Sequence, residues 1–253
     1  MTGALEMTLV ANSIIENYSS DFAMIGTPYV YDSIEHQEKV FESGALSDLF
    51  ATTEQYGFTV LAAYSLGARN LYLKNAPVAE GEVVGPDNVQ GLKIRVMGSD
   101  TCIKMWGAMS GTDGIAMAQG DVYSAIQTGT LDGAENNIIT YTDLVQYEVA
   151  PNYVYTGHLM IPDELVISNT VLASMSEADQ AALKEVCMNS IPTCFQLCAD
   201  LRASYAEEAA SHGVVFFDAD VAAFQACCAD LINEVASRTE LTQAVYDAIV
   251  ACR

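Results

Sequence analysis

Residues 58–64 read FTVLAAY, an almost unbroken apolar run that follows Gly57. A strand with one wet face alternates polar and apolar residues, whereas an unbroken run describes a strand covered on both faces. Such a strand needs a layer above and a layer below, so the chain must also supply amphipathic helices. It does. Residues 33–44 and 46–56 have helical spacing, and Gly57 is the expected C′ residue of the second helix. GARNLYL (67–73) and GLKIRV (91–96) alternate like strands, separated by a loop rich in Pro, Gly and Asp over 75–90. An amphipathic helix over 100–109 turns Ile103, Trp106 and Met109 inward, and DVYSAIQTG forms another. LDGAEN reads as a short strand and 139–147 as a helix, while YVYTGHL and ELVISN are strands bracketing Pro162. Ahead of all these, ALEMTLVA predicts a strand, and FAMIGTPYVY a second apolar stretch.

After Asn169 the pattern is almost wholly helical. Ser176 with Asp179 is an N-terminal cap signature, and Val221, Phe224, Cys228, Leu231 and Val235 recur at three- and four-residue spacing. Strands alternating with helices imply an α/β fold with right-handed crossovers, here two α/β lobes with helices at the C-terminal end. A chain of 253 residues is long enough for that, and 51% hydrophobic content marks it as globular. No apolar run approaches the ~20 residues that cross a bilayer. The opening MTGALEMTLV lacks the basic region and apolar core of a secretory signal. The expectation is a processed chain or one missing an N-terminal piece.

Charge narrows the partners. Ten basic residues stand against 33 acidic ones, for a net charge of −23. Nucleic acid and anionic membrane need a basic footprint, and none is present. An anionic ligand is repelled at long range, so any anion site must be local and built from a few donors. Screening beyond ~8–10 Å leaves room for one. The seven cysteines include Cys187, Cys194 and Cys198 in one helical stretch, but no C-x-x-C, and packed thiols are expected rather than disulfides or zinc.

Chemistry-bearing constellations are few. His36 sits in the charged stretch EHQEK and is expected in solvent, His212 precedes Gly213 at a helix end, and His158 is expected to be a satisfied structural histidine. No G-x-S-x-G, HExxH or phosphate loop occurs, and the DAD at 218–220 reads as a helix cap. Arg95 is different: it alternates with Ile94 and Val96 inside a short apolar strand. Either it faces outward beside Lys93, or it is aimed at something anionic. Arg69 presents the same choice. A guanidinium suits a carboxylate because its planar fork makes two parallel charge-assisted bonds. LDGAENN lies where a strand ends and a helix begins, with Gly133 permitting a tight backbone and Asn136 offering donors and an acceptor.

GLKIRV followed by AMAQGDVYSAIQTGTLDGAEN resembles the solute-binding proteins of TRAP (tripartite ATP-independent periplasmic) transporters. GALEM, FAMIGTPYVY, the GARN turn, YTGHL and MSEADQAALKE agree with that family in look and order, so the resemblance spans nearly the whole chain. It implies a two-lobed, periplasmic-binding-protein-like α/β clamp with mixed sheets, hinge strands and C-terminal helices. Lobe I would comprise 1–66 and 162–200, and lobe II 67–161 and 201–253 with the last helices. The clamp would close on a small organic acid, a C4-dicarboxylate or related carboxylate, and pass it to membrane permease subunits outside the cytoplasm, without catalysis, cofactor or metal. By the same resemblance Arg95 is the selectivity determinant, Asn136 lies beside it and Arg69 is a second contact. Tyr64, Gln119 and Asn12 line the same cleft.

Two departures accompany the resemblance. The family's first strand and helix are absent before GALEM, roughly 50–60 residues for an ordinary β-α-β opening, leaving the first lobe incomplete. Met97 and Gly98 replace a commoner proline. Two other functions remain open at this stage: a ligand-sensing domain feeding a receptor or kinase, and a thiol-dependent enzyme using Cys102 or the 187–198 cluster.

Overall fold

The computed structural model describes residues 5–253, so Ala4 of the expected opening strand lies outside the described residues. Strand β1 (Met7–Ala11) runs into the single turn of α1 (Asn12–Ile15), and the apolar stretch beyond it winds as a 3-10 helix over Ser20–Gly26. Helix α2 (Ile34–Glu42) starts where the Ser33 hydroxyl accepts from the His36 amide. Helix α3 (Ser47–Ala51) tightens into a 3-10 turn and stops at Gly57, left-handed at φ +88° as its C′ role requires. Then come β2 (Phe58–Tyr64), β3 (Arg69–Leu73), β4 (Ile94–Val96) and α4 (Asp100–Ser110), the last capped by Ser99.

Strand β5 (Ile115–Ala116), α5 (Val122–Gln127), β6 (Gly133–Asn136) and α6 (Ile138–Asp143) follow. Helix α6 is shorter than the 139–147 expected, because Val145 adopts φ +47° and interrupts the turn. Strands β7 (Asn152–Leu159) and β8 (Asp163–Ser168) bracket Pro162 as predicted. The rest is helical apart from β9 (Val215–Asp218): α7 (Asn169–Ser174), α8 (Glu177–Asn189), α9 (Ile191–Ser211), α10 (Val221–Ala236) and α11 (Glu240–Ala251). Ser176 caps α8 and Asp220 of the DAD caps α10.

The described strands form two sheets. The smaller has the order β1-β8-β2, with both pairs antiparallel. The larger runs β5-β4-β6-β3-β7-β9 and is mixed: β5, β4 and β6 are parallel, β3 is antiparallel to β6 and β7, and β9 is parallel to β7. The chain passes between sheets at residues 65–68 and returns at 160–162. Arg69 opens β3, Asn136 closes β6, Asp163 opens β8 and Ala11 closes β1, so four strand ends meet near these crossings. The 21-residue helix α9 spans the junction, touching β2 and α2 on one side and α6 on the other.

Phe224, Cys228, Leu231 and Val235 form the buried stripe of α10, whereas Val221 in its first turn is exposed. His36 is not solvated: it is 5% exposed and its Nε2 lies 2.8 Å from the carbonyl of Ile249. Helix α11 causes this, because it packs on α3 and the 20–26 turn instead of on the larger sheet with which residues 201–253 were grouped. Its buried Val245 and Ile249 find their apolar partners there, and Thr239 bonds Asp21 at 2.8 Å. His212 ends α9 and stacks on Tyr147 at 4.4 Å.

Candidate functional site

Ile94 and Val96 are fully buried in the core, so the alternation of β4 sends Arg95 to the opposite face. Strands on both sides hold that backbone, with Arg95 opposite Ile115 of β5 and Ala134 of β6. Lys93 lies outside β4 and is exposed, but Arg95 is only 5% exposed. The segment after β5 folds over its guanidinium: Nε donates to the Met117 carbonyl at 2.8 Å and Nη1 to Gln119 Oε1 at 2.9 Å. Among the described residues Nη2 has no acceptor. Burial pulls the pKa of this guanidinium down, against the pull of Glu135, although an arginine stays charged at any ordinary pH.

Arg95 lines a cavity of about 570 Å³ together with Arg69, Gln119, Asn136, Ser13 and Met97. That volume suits a small-molecule pocket. Asn136 Oδ1 accepts from the Asn137 amide at 3.0 Å, which leaves its Nδ2 for Gln119 Oε1 at 3.4 Å and for the cavity. Gln119 Nε2 is buried with no partner among the described residues.

Arg69 is also on the wall, but its charge is already used. Its Nε bonds Glu135 Oε2 at 2.5 Å, and its Nη2 reaches Oε1 at 3.0 Å and the Glu135 carbonyl at 2.9 Å. Burial alone would raise the Glu135 carboxyl, but the Arg69 charge overrides it and holds the group down at about 2. His158 completes the cluster as the expected structural histidine: Nδ1 is 2.7 Å from Thr156 Oγ1, and Nε2 is 3.6 Å from Glu135 Oε2.

Two expected residues lie elsewhere. Tyr64 does not line the cavity; its hydroxyl meets Ser190 Oγ at 2.7 Å, because the strand end directs the ring toward the α8–α9 junction. Asn12 is fully buried and its Nδ2 donates to the Phe22 carbonyl at 2.9 Å, so its neighbours Ala11, Ser13 and Ile14 form the wall instead. Asp163 was not anticipated. It lines a second cavity of about 150 Å³, which shares Ala11, Arg69, Met97 and Asn136 with the first. Its place beside Pro162 in the sequence signals only a strand start.

The seven cysteines are free thiols. Burial pushes Cys102 and Cys194 up to about 12 and raises Cys187, so these three are not poised as nucleophiles.

The family model for bacterial extracellular solute-binding proteins, family 7 (DctP), matches residues 1–239. The chain belongs to this family. Its members bind solutes and are not enzymes. An uncharacterised Salmonella typhimurium protein, YiiZ, is 33% identical over 190 residues, which cover 75% of this chain and 56% of that protein. The chain thus spans a little over half the length of that curated relative. A solved TRAP periplasmic solute-binding protein from Chromohalobacter salexigens, with bound D-glucuronate, matches at TM-score 0.91 and 25% identity, covering 100% of this chain and 82% of the other. One from a Bradyrhizobium species, in complex with D-galacturonate, matches at 0.90 and 28%, covering 98% and 81%. This family-7 chain therefore has the two-lobed, mixed α/β fold, and the cavity lies where its two sheets meet.

Proposed function

We propose that this protein captures a hexuronate or closely related sugar acid between its lobes and delivers it, outside the cytoplasm, to the membrane permease of a TRAP transporter. The observation that carries the reading is Arg95: a buried guanidinium on the wall of a 570 Å³ cavity, with Nη2 free of any acceptor among the described residues. Gln119 and the Met117 carbonyl hold the fork in place, and Asn136 offers an amide donor beside it. Each charge-assisted bond contributes roughly 1.5–3 kcal/mol. A bidentate pair thus supplies a large part of the ~8 kcal/mol of micromolar binding. Arg69 is a weaker contact because Glu135 already balances it. The uronates in the solved relatives support a sugar acid over a C4-dicarboxylate. Closure of the lobes is driven only by contacts made in the closed state, and the ligand carboxylate supplies them.

Calorimetry with D-glucuronate and D-galacturonate tests this. Substituting Arg95→Ala or Arg95→Lys should weaken binding about 100-fold or more, with an unchanged circular dichroism spectrum. Tight uronate binding by the alanine variant removes Arg95 as the anchor.

A further inference from the structure

The deep end of the cleft has the opposite sign to its anchor. The 150 Å³ cavity continues the larger one through four shared residues, and Asp163 lines only this inner part. Asp163 opens β8, the central strand of the smaller sheet, and its backbone is paired with Ala11 on one side and Tyr64 on the other. That double pairing fixes where the side chain emerges. Among the described residues its carboxylate accepts no hydrogen bond and joins no ion pair. Arg69 lines the same space, yet its guanidinium is engaged by Glu135. Counting Arg69, Glu135 and Asp163 together, the inner end is net negative. The Asn137 side chain on the same wall is committed: Oδ1 accepts from the Thr140 amide at 2.9 Å, and Nδ2 donates to Asn136 Oδ1 at 3.2 Å. Burial raises the Asp163 carboxyl above its usual range, with Arg69 pulling the other way. A carboxylate taken from water without a donor is costly, and a donor carried by the ligand recovers that cost.

We propose that Asp163 sets the specificity of the cleft by accepting a hydrogen bond from a ligand hydroxyl, so that the protein selects polyhydroxylated monocarboxylates and rejects dicarboxylates. A second anionic end would meet a like charge, and such juxtapositions cost several-fold to many-fold in affinity. The inference rests on the reading of Arg95 as carboxylate anchor.

The test measures D-glucuronate, succinate and D-glucarate by calorimetry on the full chain. Wild type should prefer D-glucuronate over either diacid by about 100-fold. In Asp163→Asn, D-glucuronate affinity should fall roughly 10-fold or more and the preference over the diacids should shrink by at least as much. Thermal midpoints without ligand report whether the variant is folded, and Asp163→Ser supplies the same comparison if the amide is not accommodated. An unchanged preference in the folded variant overturns the inference while Arg95→Ala still abolishes binding. Retained binding in Arg95→Ala overturns the anchor reading instead. Failure of wild type to bind D-glucuronate overturns both.

Discussion

Glu135 has no exposed surface, yet the cleft wall depends on its charge. It neutralises Arg69 and thereby decides which of two arginines is left for a ligand. Removing one partner of a buried ion pair strands the other, at a cost of about 3–5 kcal/mol. Glu135→Gln should therefore lower the thermal midpoint by on the order of 10 °C at neutral pH. The pH dependence has a defined sign. The folded value near 2 lies below the ordinary 4.5, so this contribution is present above pH 4.5 and is lost as pH falls toward 2. Scanning calorimetry across that window should show a steep decline in wild type and a shallower one in the variant; parallel curves would mean that Glu135 is not held ionised. At this scale the family resemblance, rather than the local pattern, pointed to Arg95, Gln119 and Asn136, and all three line the cavity. Asn12 and Tyr64 do not. Around residues 11–14 the chain changes from strand to helix, and sequence order alone does not say which neighbour faces the cavity.

Strand β6 shows how little room the element carrying Asn136 has. It lies between β4 and β3, and a Cβ at Gly133 would collide with the carbonyl of Tyr72 and crowd Leu73. Gly133→Ala must part β6 from β3, which costs about 3 kcal/mol or more. It should also weaken D-glucuronate binding, since Glu135 and Asn136 ride on the same strand. Gly120→Ala, whose added carbon meets nothing within 4 Å, should change neither property. Equal stability of the two variants by urea denaturation would contradict this. Element types were readable wherever a cap or a long period announced them, as with Ser99, Ser176 and Asp220. The tight backbone at Gly133 was readable too. Helix α3 ran shorter than expected because its last turn became 3-10, and α6 because Val145 turns left-handed beyond it.

Across the whole molecule, a net charge of −23 repels the anion that the cleft is proposed to hold. Raising the salt from ~0.01 to ~0.15 M shortens the screening length from ~30 to ~8 Å. Stopped-flow association of D-glucuronate should accelerate over that range, with dissociation changing less because the bound pair is buried. A rate that falls with salt would mean that the local field of Arg95 outweighs the global charge. The two-sheet plan was legible from alternating strands and helices. The docking of α11 and the burial of His36 were not, since long-range packing leaves no mark in local periodicity.

Helix α9 touches both halves of the clamp as one continuous rod. Its internal ladder of hydrogen bonds does not stretch, so the distance between its two seats is constant. With both seats fixed on one helix, the lobes can pivot about it but cannot draw straight apart. On the proposed function, release of the ligand is therefore expected to be a twist of the lobes about α9, a helix that lines neither cavity.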